Sequence, residues 1–329
     1  MKAICLRSHG GPEVLAVEER PEPSGPVRVL VTHVGLNHLD LWVRRGVPGH
    51  RFPLPIVPGS DVVGIRVDTG ERVALQPGLG CGRCGRCLSG RHDLCRAYRI
   101  RGETMDGGMC ELVGVSEAEL LPCPMEPSLA AAAPLSLLTA WHMLVSRARV
   151  SPGDRVLVQA GASGVGIYAI QVARLFGARV AATASTPEKR ALCRELGAEV
   201  AWDYPEAVPE SRSWTRKEGF DLVVDHVGQD TFEASIQMLR WGGSYATCGA
   251  TSGHLPTLNL RLLFFKQLTL LGSTMGSMGE MTEAWRHLLS GAIRPVVHAV
   301  GAMSRLGEAH GWLEGRGVAG KVVVEQDLG

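Results

Sequence analysis

Cys81, Cys84, Cys87 and Cys95 stand in the run CGRCGRCLSGRHDLC, spaced by two residues, two residues and then seven. Thiolates at that spacing can close around one tetrahedral Zn²⁺ with Zn–S bonds of about 2.3 Å. Protein would fill every coordination position, so such an ion is structural: it fixes a loop that has no apolar core of its own. An iron–sulfur run places its fourth cysteine after three residues and follows it with proline, whereas here seven intervene and Arg96 follows. The remaining cysteines, Cys5, Cys110, Cys123, Cys193 and Cys248, are scattered, and MKAICLRSHGG offers no apolar signal core. A reducing, cytoplasmic setting with no disulfide framework is expected.

A second constellation is Ala160-Gly161-Ala162-Ser163-Gly164-Val165-Gly166, which reads G-x-S-x-x-G where a dinucleotide fingerprint reads G-x-G-x-x-G. Small residues at Gly161, Ser163, Gly164 and Gly166, with Val165 between, let backbone N–H groups at a helix start approach a pyrophosphate. Alone, a glycine turn is also an ordinary tight connection between a strand and a helix. Its context decides for a dinucleotide, because RVLVQ precedes it, an amphipathic run follows, and a second strand comes next. An NAD site places an acid at the end of that second strand. This chain has Ala184-Ser185-Thr186 there, followed by Lys189 and Arg190. Two hydroxyls and two cations suit a 2′-phosphate, so NADPH is expected as cofactor; the competing reading makes the two cations a solvated helix face.

The elements that must hold these groups follow from the pattern. Runs at Arg155–Gln159, Arg179–Thr183, Glu199–Trp202, Asp221–Asp225, Gly243–Cys248 and Thr269–Gly272 alternate with helical segments, the βαβ rhythm of a parallel α/β sheet. Val165, Ile167, Ile170, Val172, Ala173, Leu175 and Phe176 make one helical face, stopped by Gly177. With 329 residues, 45% of them hydrophobic, the chain can build two domains. A net charge of +1 with dispersed arginines gives no nucleic-acid stripe, and no run reaches the roughly 18 apolar residues of a membrane span. Small molecules are the expected partners.

Taken in order, these motifs resemble the medium-chain dehydrogenase/reductase superfamily, the zinc alcohol dehydrogenases and quinone oxidoreductases. The resemblance is carried by GGPEVL, Asn37-His38-Leu39-Asp40, Gly59-Ser60-Asp61, Leu138-Thr139-Ala140-Trp141, the glycine turn, Asp225-His226-Val227-Gly228, Leu271-Gly272-Ser273 and Gly320-Lys321-Val322-Val323. It implies a discontinuous, β-rich GroES-like catalytic domain with a Rossmann doubly wound parallel sheet inserted in it. The expected boundaries are 1–126 for the GroES-like part with a zinc lobe at 77–98, 127–269 for the Rossmann NADP-binding domain, and 270–329 for the return. It further implies substrate reduction in an interdomain cleft and a homodimer paired through the sheet edge near Leu268–Gly272.

The resemblance also locates a departure. Zinc alcohol dehydrogenases hold a catalytic zinc through a cysteine and a histidine, and the matching positions here are Asn37 and Ser60. An amide and a hydroxyl replace neither. Without a Lewis acid, oxidation of an unactivated alcohol loses several kcal/mol of alkoxide stabilisation, whereas hydride addition to a quinone or enone forms a delocalised oxyanion that hydrogen bonds suffice to hold.

The resemblance therefore implies an NADPH-dependent quinone or enone reductase that keeps only the structural zinc. Asn37 would be the amide donor, Asp40 its partner, and Trp42 a pocket wall, if it is not simply core. His38 would face the pyrophosphate, if it is not a surface loop residue. Tyr204 would flank the 2′-phosphate, if it is not packing. Thr139, Val227, Gly249, Ala250, Gly272 and Ser273 would line the cofactor, while Asp61 and Asp225 read as structural. Two alternatives stand beside it: an alcohol dehydrogenase with zinc on His38, Asp40 and Asp61, and a non-catalytic NADPH-binding protein. A tight hairpin is expected at Asp68-Thr69-Gly70.

Overall fold

The computed structural model describes residues 1–329. The chain divides into two units, Met1–Leu138 with Gly276–Gly329, and Thr139–Met275.

The second unit is a six-stranded parallel sheet in the order Val200–Trp202, Arg179–Thr183, Arg155–Val158, Phe220–Asp225, Leu239–Thr247, Thr269–Gly272. The central strands place branched or small apolar side chains where both faces are covered, and Val156, Leu157, Val158, Val180, Val223 and Val224 are fully buried. The helix Gly164–Leu175 ends as its sequence predicts. Gly177 adopts φ +79°, Gly177 N–H donates to Arg174 O and Ala178 N–H to Ala173 O, which satisfies carbonyls of the last turn.

The expected boundaries need correction at both crossings. The helical run expected over Leu129–Val145 is broken by Pro134 into Pro127–Ala131 and Pro134–Trp141. Pro127–Leu138 belongs with the first unit, so the crossing falls after Leu138 rather than before residue 127. At the far end, Thr269–Gly272 pairs in register with Ser244–Thr247 as the last parallel strand. Residues 270–275 are therefore part of the sheet unit, and the return begins at Gly276.

The first unit is built on a seven-stranded sheet. Lys321–Glu325 and Asp61–Arg66 flank Val27–Gly35 antiparallel, Val297–Ala302 lies outside Lys321–Glu325, and Arg72–Leu75 and Leu120–Pro122 continue the other side, with Leu112–Val115 also pairing with Val27–Gly35. Its core gathers Val29, Val34, Leu36, Val62, Leu75, Met109, Val322 and Val324. The expected hairpin forms at Asp68-Thr69-Gly70, where Gly70 takes φ +74° and Arg66 N–H donates to Glu71 O at 2.9 Å.

Register explains why residues distant in sequence meet at one end of this sheet. Val323 lies opposite Gly35 and Gly35 opposite Asp61. Two residues further along, Lys321 and Asn37 come together beside Asp61. Gly35 has no room for a side chain, since a Cβ there would come within 2.0 Å of Ala131 O, and its absence lets the helix Pro127–Ala131 sit down on the strand end.

Candidate functional site

In the sheet unit, the glycine turn joins the strand Arg155–Val158 to the helix Gly164–Leu175. A Cβ on Gly161 would stand 2.9 Å from Ala182 Cβ and 2.9 Å from Cys193 Sγ, and one on Gly166 would stand 2.4 Å from Ala160 O. Both glycines are thus required by close packing of turn, strand and helix. Ser163 is the helix N-cap: its Oγ accepts from Gly166 N–H at 3.0 Å and lies 2.7 Å from His226 Nε2. The side chain that departs from the glycine fingerprint is drawn into its own helix and a neighbouring strand end. Under this turn runs a buried polar chain. Ala160 N–H donates to Thr183 Oγ1, Thr183 to Gln159 Oε1, Gln159 Nε2 to Ser235 Oγ, and Ser235 to Asp225 Oδ2. Asp225 also accepts from Val227 N–H at 2.7 Å, Gly228 N–H and Thr231 Oγ1, so it fixes the turn that carries His226, as its structural reading requires.

Two buried polar atoms at the strand ends find no protein partner: His226 Nδ1 after Phe220–Asp225, and Ser273 Oγ after Thr269–Gly272. Orphaned groups at the carboxyl ends of parallel strands, next to a helix N-terminus, fit a bound dinucleotide. Burial holds the His226 imidazole below its ordinary pKa, which keeps it neutral beside Ser163.

Thr186 caps the helix Pro187–Glu195, its Oγ1 accepting from Lys189 N–H at 3.3 Å, while its hydroxyl bonds the Glu188 carboxylate and helps hold that carboxyl below its ordinary pKa. Ser185 is exposed beside it. Arg190 reaches back to Ala184 O at 3.0 Å and stands 3.8 Å from Asp203, which brings its guanidinium to the end of the second strand. Burial lowers the Lys189 ammonium, and raises the Tyr204 phenol against a contact with the Thr183 hydroxyl that lowers it.

The four cysteines of the first unit converge. Their Sγ atoms all lie within 4.8 Å of one another, with Cys84–Cys87 at 3.6 Å, Cys84–Cys95 at 3.8 Å and Cys81–Cys87 at 4.0 Å. A tetrahedron with metal–sulfur bonds of about 2.3 Å has edges of about 3.8 Å, so the donor set fits a zinc ion. Gly80 leaves the space that Cys87 fills, since a Cβ there would meet Cys87 Sγ at 2.6 Å. The thiols of Cys110, Cys193 and Cys248 are pushed up to about 12 by burial, which disfavours their thiolates.

Asn37 lies in a different environment from the one its sequence suggests. Lys321 Nζ donates to Asn37 Oδ1 at 2.5 Å, to Asp61 Oδ2 at 2.9 Å and to Ser136 Oγ at 3.3 Å, and all four side chains are buried. Asn37 Nδ2 donates to Asp61 Oδ2 at 3.0 Å, and Asp61 Oδ1 accepts from Leu135 N–H at 2.6 Å at the start of the helix Pro134–Trp141. Asp61 is therefore balanced by an ammonium and a helix N-terminus. Asp40 accepts from Asn37 N–H at 2.7 Å and Gly59 N–H at 3.1 Å, and burial raises its carboxyl to about 6 in spite of those bonds. Ser60 donates its hydroxyl to Arg101 O at 2.6 Å.

Residues 23–125 match the alcohol dehydrogenase GroES-like domain, and residues 164–290 match the zinc-binding dehydrogenase family. A crystal structure described as that of an NAD-dependent alcohol dehydrogenase is 44% identical, with a TM-score of 0.94 over 99% of each chain. The chain is a medium-chain dehydrogenase/reductase. A probable quinone oxidoreductase of Schizosaccharomyces pombe is 29% identical to it, the match covering 93% of this chain and 90% of the relative. An acryloyl-coenzyme A reductase of Metallosphaera sedula is 28% identical over 98% and 99% of the two chains. The structure of a crotonyl-CoA carboxylase/reductase in complex with NADP is 25% identical, with a TM-score of 0.86, covering 99% of this chain and 94% of the other. These relatives are oxidoreductases, and this medium-chain dehydrogenase/reductase is an enzyme of that broad class.

For this medium-chain dehydrogenase/reductase the structure sorts the residues read from the sequence. Gly161, Ser163, Gly164, Val165 and Gly166 form one turn. Val227, Gly249 and Ala250 are half-buried in the loops at the strand ends, next to which Ser273 is buried and Gly272 exposed. Thr139 is buried in Pro134–Trp141, and His38 is exposed in the first turn of His38–Arg45. Trp42 is half-buried and packs against Leu6, Val43, Phe52 and Ile56. Asp61, read as closing a turn, is instead half of a buried ion pair. Lys321 and Ser136 were missed: Lys321 was visible only as part of a closing signature, and Ser136 lies in a stretch of apolar and small residues. The signal that could have found Lys321 is a lone lysine opening an apolar strand, KVVV, where a charge must be partnered.

Proposed function

We propose that this enzyme is an NADPH-dependent reductase of quinones or α,β-unsaturated carbonyl compounds that works without a catalytic metal, with one structural zinc ion on Cys81, Cys84, Cys87 and Cys95. The observation that carries the metal-free reading is the Lys321–Asp61–Asn37 cluster. An ammonium already satisfies the carboxylate and amide oxygens there. Asp40 has both oxygens on backbone N–H groups, and Ser60 gives its hydroxyl to a carbonyl. Asp40 and Asp61, two of the three zinc ligands of an alcohol dehydrogenase reading, are thus spent on protein contacts. That alternative keeps in its favour the 44% identity to a structure described as an alcohol dehydrogenase.

Bound at the glycine turn, NADPH would supply the hydride. The chain's own residues then have two tasks. Gly164 and Val165 N–H groups and the helix start receive the pyrophosphate, with Ser185, Thr186, Lys189 and Arg190 toward the 2′-phosphate; no carboxylate at Ala184–Thr186 repels it. Asn37 has one N–H committed to Asp61 and a second with no protein partner, and that second N–H takes the carbonyl oxygen of the substrate. As the β-carbon gains hydride, the C=C electron pair moves toward that oxygen, and a proton from water completes the α-carbon. The enoyl-CoA and quinone reductases among its relatives support this substrate class.

A second copy of the chain is the proposed partner. Thr269–Gly272 leaves one side of the sheet unpaired, and Trp241, Leu260, Phe264, Phe265 and Leu270 are exposed around it, with Trp241 and Phe265 rings 5.2 Å apart. An open, apolar strand edge is a surface that proteins cover, and an isologous pairing of two such edges covers both. No helix is long and apolar enough to cross a membrane, and the cytoplasmic setting is proposed from the scattered spacing of the cysteines outside the metal loop.

The test is NADPH consumption against a panel of quinones, enones and primary alcohols, run beside metal analysis. Turnover of conjugated carbonyls with one zinc per chain supports the proposal. Two zinc ions per chain with alcohol turnover replace it by the alcohol dehydrogenase reading, and silence across the panel with NADPH bound replaces it by a binding role.

A further inference from the structure

The buried lysine at the start of the strand Lys321–Glu325 has no assigned task in the reduction, yet the fold spends much to place it. Lys321 and Asp61 are 3% and 0% exposed in their side chains, and their Nζ···Oδ2 distance is 2.9 Å. Pairing two charges away from water is weak evidence for stability, because the desolvation of each opposes their attraction. An apolar pair of similar size would fill the same space. The geometry around the pair instead centres on Asn37. Of the three oxygen atoms that Lys321 contacts, Asn37 Oδ1 is the nearest at 2.5 Å, closer than Asp61 or Ser136. An ammonium on the oxygen of an amide withdraws electron density from its nitrogen and makes each N–H a stronger donor. One of those N–H groups is bound to Asp61, and this bond, with the ammonium, locks the amide orientation so that nitrogen and oxygen cannot exchange places. The other N–H is the free one.

We propose that Lys321 is a positioning residue of the reaction: through Asn37 it polarises and aims the N–H that receives negative charge from the substrate oxygen. Asp61 and the helix start at Leu135 hold the ammonium in place, and Ser136 accepts its third hydrogen bond. The fixed cation acts one residue removed from the substrate, where its charge is felt in a low-dielectric setting but adds no ligand site for metal. This inference rests on the reading of Asn37 as the oxyanion donor.

The experiment measures single-turnover NADPH oxidation with a series of ring-substituted aryl enones whose enolates differ in basicity. The wild-type enzyme comes first: no turnover of any enone defeats the functional reading itself and is thereby told apart from failure of this inference. With turnover established, Lys321→Gln is expected to slow hydride transfer about tenfold to a hundredfold, below the 10²–10³ typical of deleting an oxyanion donor. The loss should grow with enolate basicity, NADPH affinity should stay within about twofold, and Lys321→Arg should recover most of the rate. Because Lys321→Gln leaves Asp61 as an unpaired buried charge, the double variant Asp61→Asn/Lys321→Gln, which removes both charges, is measured in parallel and should show the same dependence on enolate basicity. A loss equal for all enones, or no loss in a folded variant, overturns the proposal.

Discussion

Ser163 Oγ stands 2.7 Å from His226 Nε2, and the same oxygen accepts Gly166 N–H at 3.0 Å. A serine therefore occupies the second position of the dinucleotide turn without projecting into it. Its hydroxyl caps the helix Gly164–Leu175 and ties that helix start to the turn after Phe220–Asp225.

Removal of that oxygen should be felt first in stability. Ser163→Ala deletes the N-cap and leaves Gly166 N–H unsatisfied, at a cost of about 1 kcal/mol, while Ser163→Gly costs only a few tenths. Urea unfolding of the cofactor-free protein reads the difference, and equal midpoints for wild type and Ser163→Ala would show that the cap carries no weight. Cofactor affinity of Ser163→Gly should remain within about threefold, since glycine is what the fingerprint accommodates at this position.

The proposed preference for NADPH rests on what the end of the second strand lacks as much as on what it holds. Ser185 is exposed beside Ala184, with Lys189 and Arg190 on the following helix. Ser185→Asp places a carboxylate against the 2′-phosphate and near the ribose hydroxyl of NADH. The ratio of kcat/KM for NADPH to that for NADH should fall at least about tenfold, from a wild-type value above unity. A wild-type preference for NADH would remove the basis for this prediction.

The parallel sheet and the metal loop were legible because each rests on local pattern. Strand runs, the glycine turn, the Gly177 stop and the cysteine spacing are set by residues near one another in sequence, and the structure places all of them within a residue or two, apart from the strand ahead of Cys248, which begins at Leu239. The crossing points were less legible, since Thr269–Gly272 reads equally as a linker or as an edge strand until its pairing with Ser244–Thr247 is seen. The Asn37 cluster could not be read at all from spacing. Asn37 and Lys321 are 284 residues apart, and only antiparallel register across three strands brings them together.

The cysteine loop should behave as a folding element. Its residues contribute little apolar core, and Cys81 and Cys84 are only half-buried. Cys87→Ser, or exhaustive chelation, should remove about one zinc per chain and lower the unfolding midpoint. In Cys87→Ser, the turnover that survives at low temperature should respond to conjugated carbonyls as before. Loss of the zinc with an unchanged thermal midpoint would contradict a structural role, and metal-dependent hydride transfer in a fully folded variant would contradict the separation of that ion from the chemistry.

The edge strand offers a test of assembly. Leu270 and Phe265 are exposed beside the unpaired side of Thr269–Gly272. A charge at the centre of an isologous contact meets its own copy, so Leu270→Arg or Phe265→Arg should shift the protein from dimer to monomer in light scattering. A wild-type protein that is monomeric at micromolar concentration would remove the proposed partner.

Asp40 gives a pH signature with a defined sign. Burial lifts its carboxyl from an ordinary 3.8 to about 6, the N–H bonds from Asn37 and Gly59 opposing that rise. A carboxyl with a higher pKa folded than unfolded binds its proton more tightly in the fold. Its stabilising contribution is thus complete below the unfolded pKa and is lost as pH rises through the folded one. A shift of about two units corresponds to about 3 kcal/mol, lost between about pH 4 and pH 6. Asp40→Asn cannot titrate and loses one of the two N–H bonds, which sets a constant offset. Across that interval the stability of Asp40→Asn should gain on wild type by up to about 3 kcal/mol in denaturant unfolding. A difference that stays flat with pH would mean that Asp40 is ionised throughout, held there by the Asn37 and Gly59 amides.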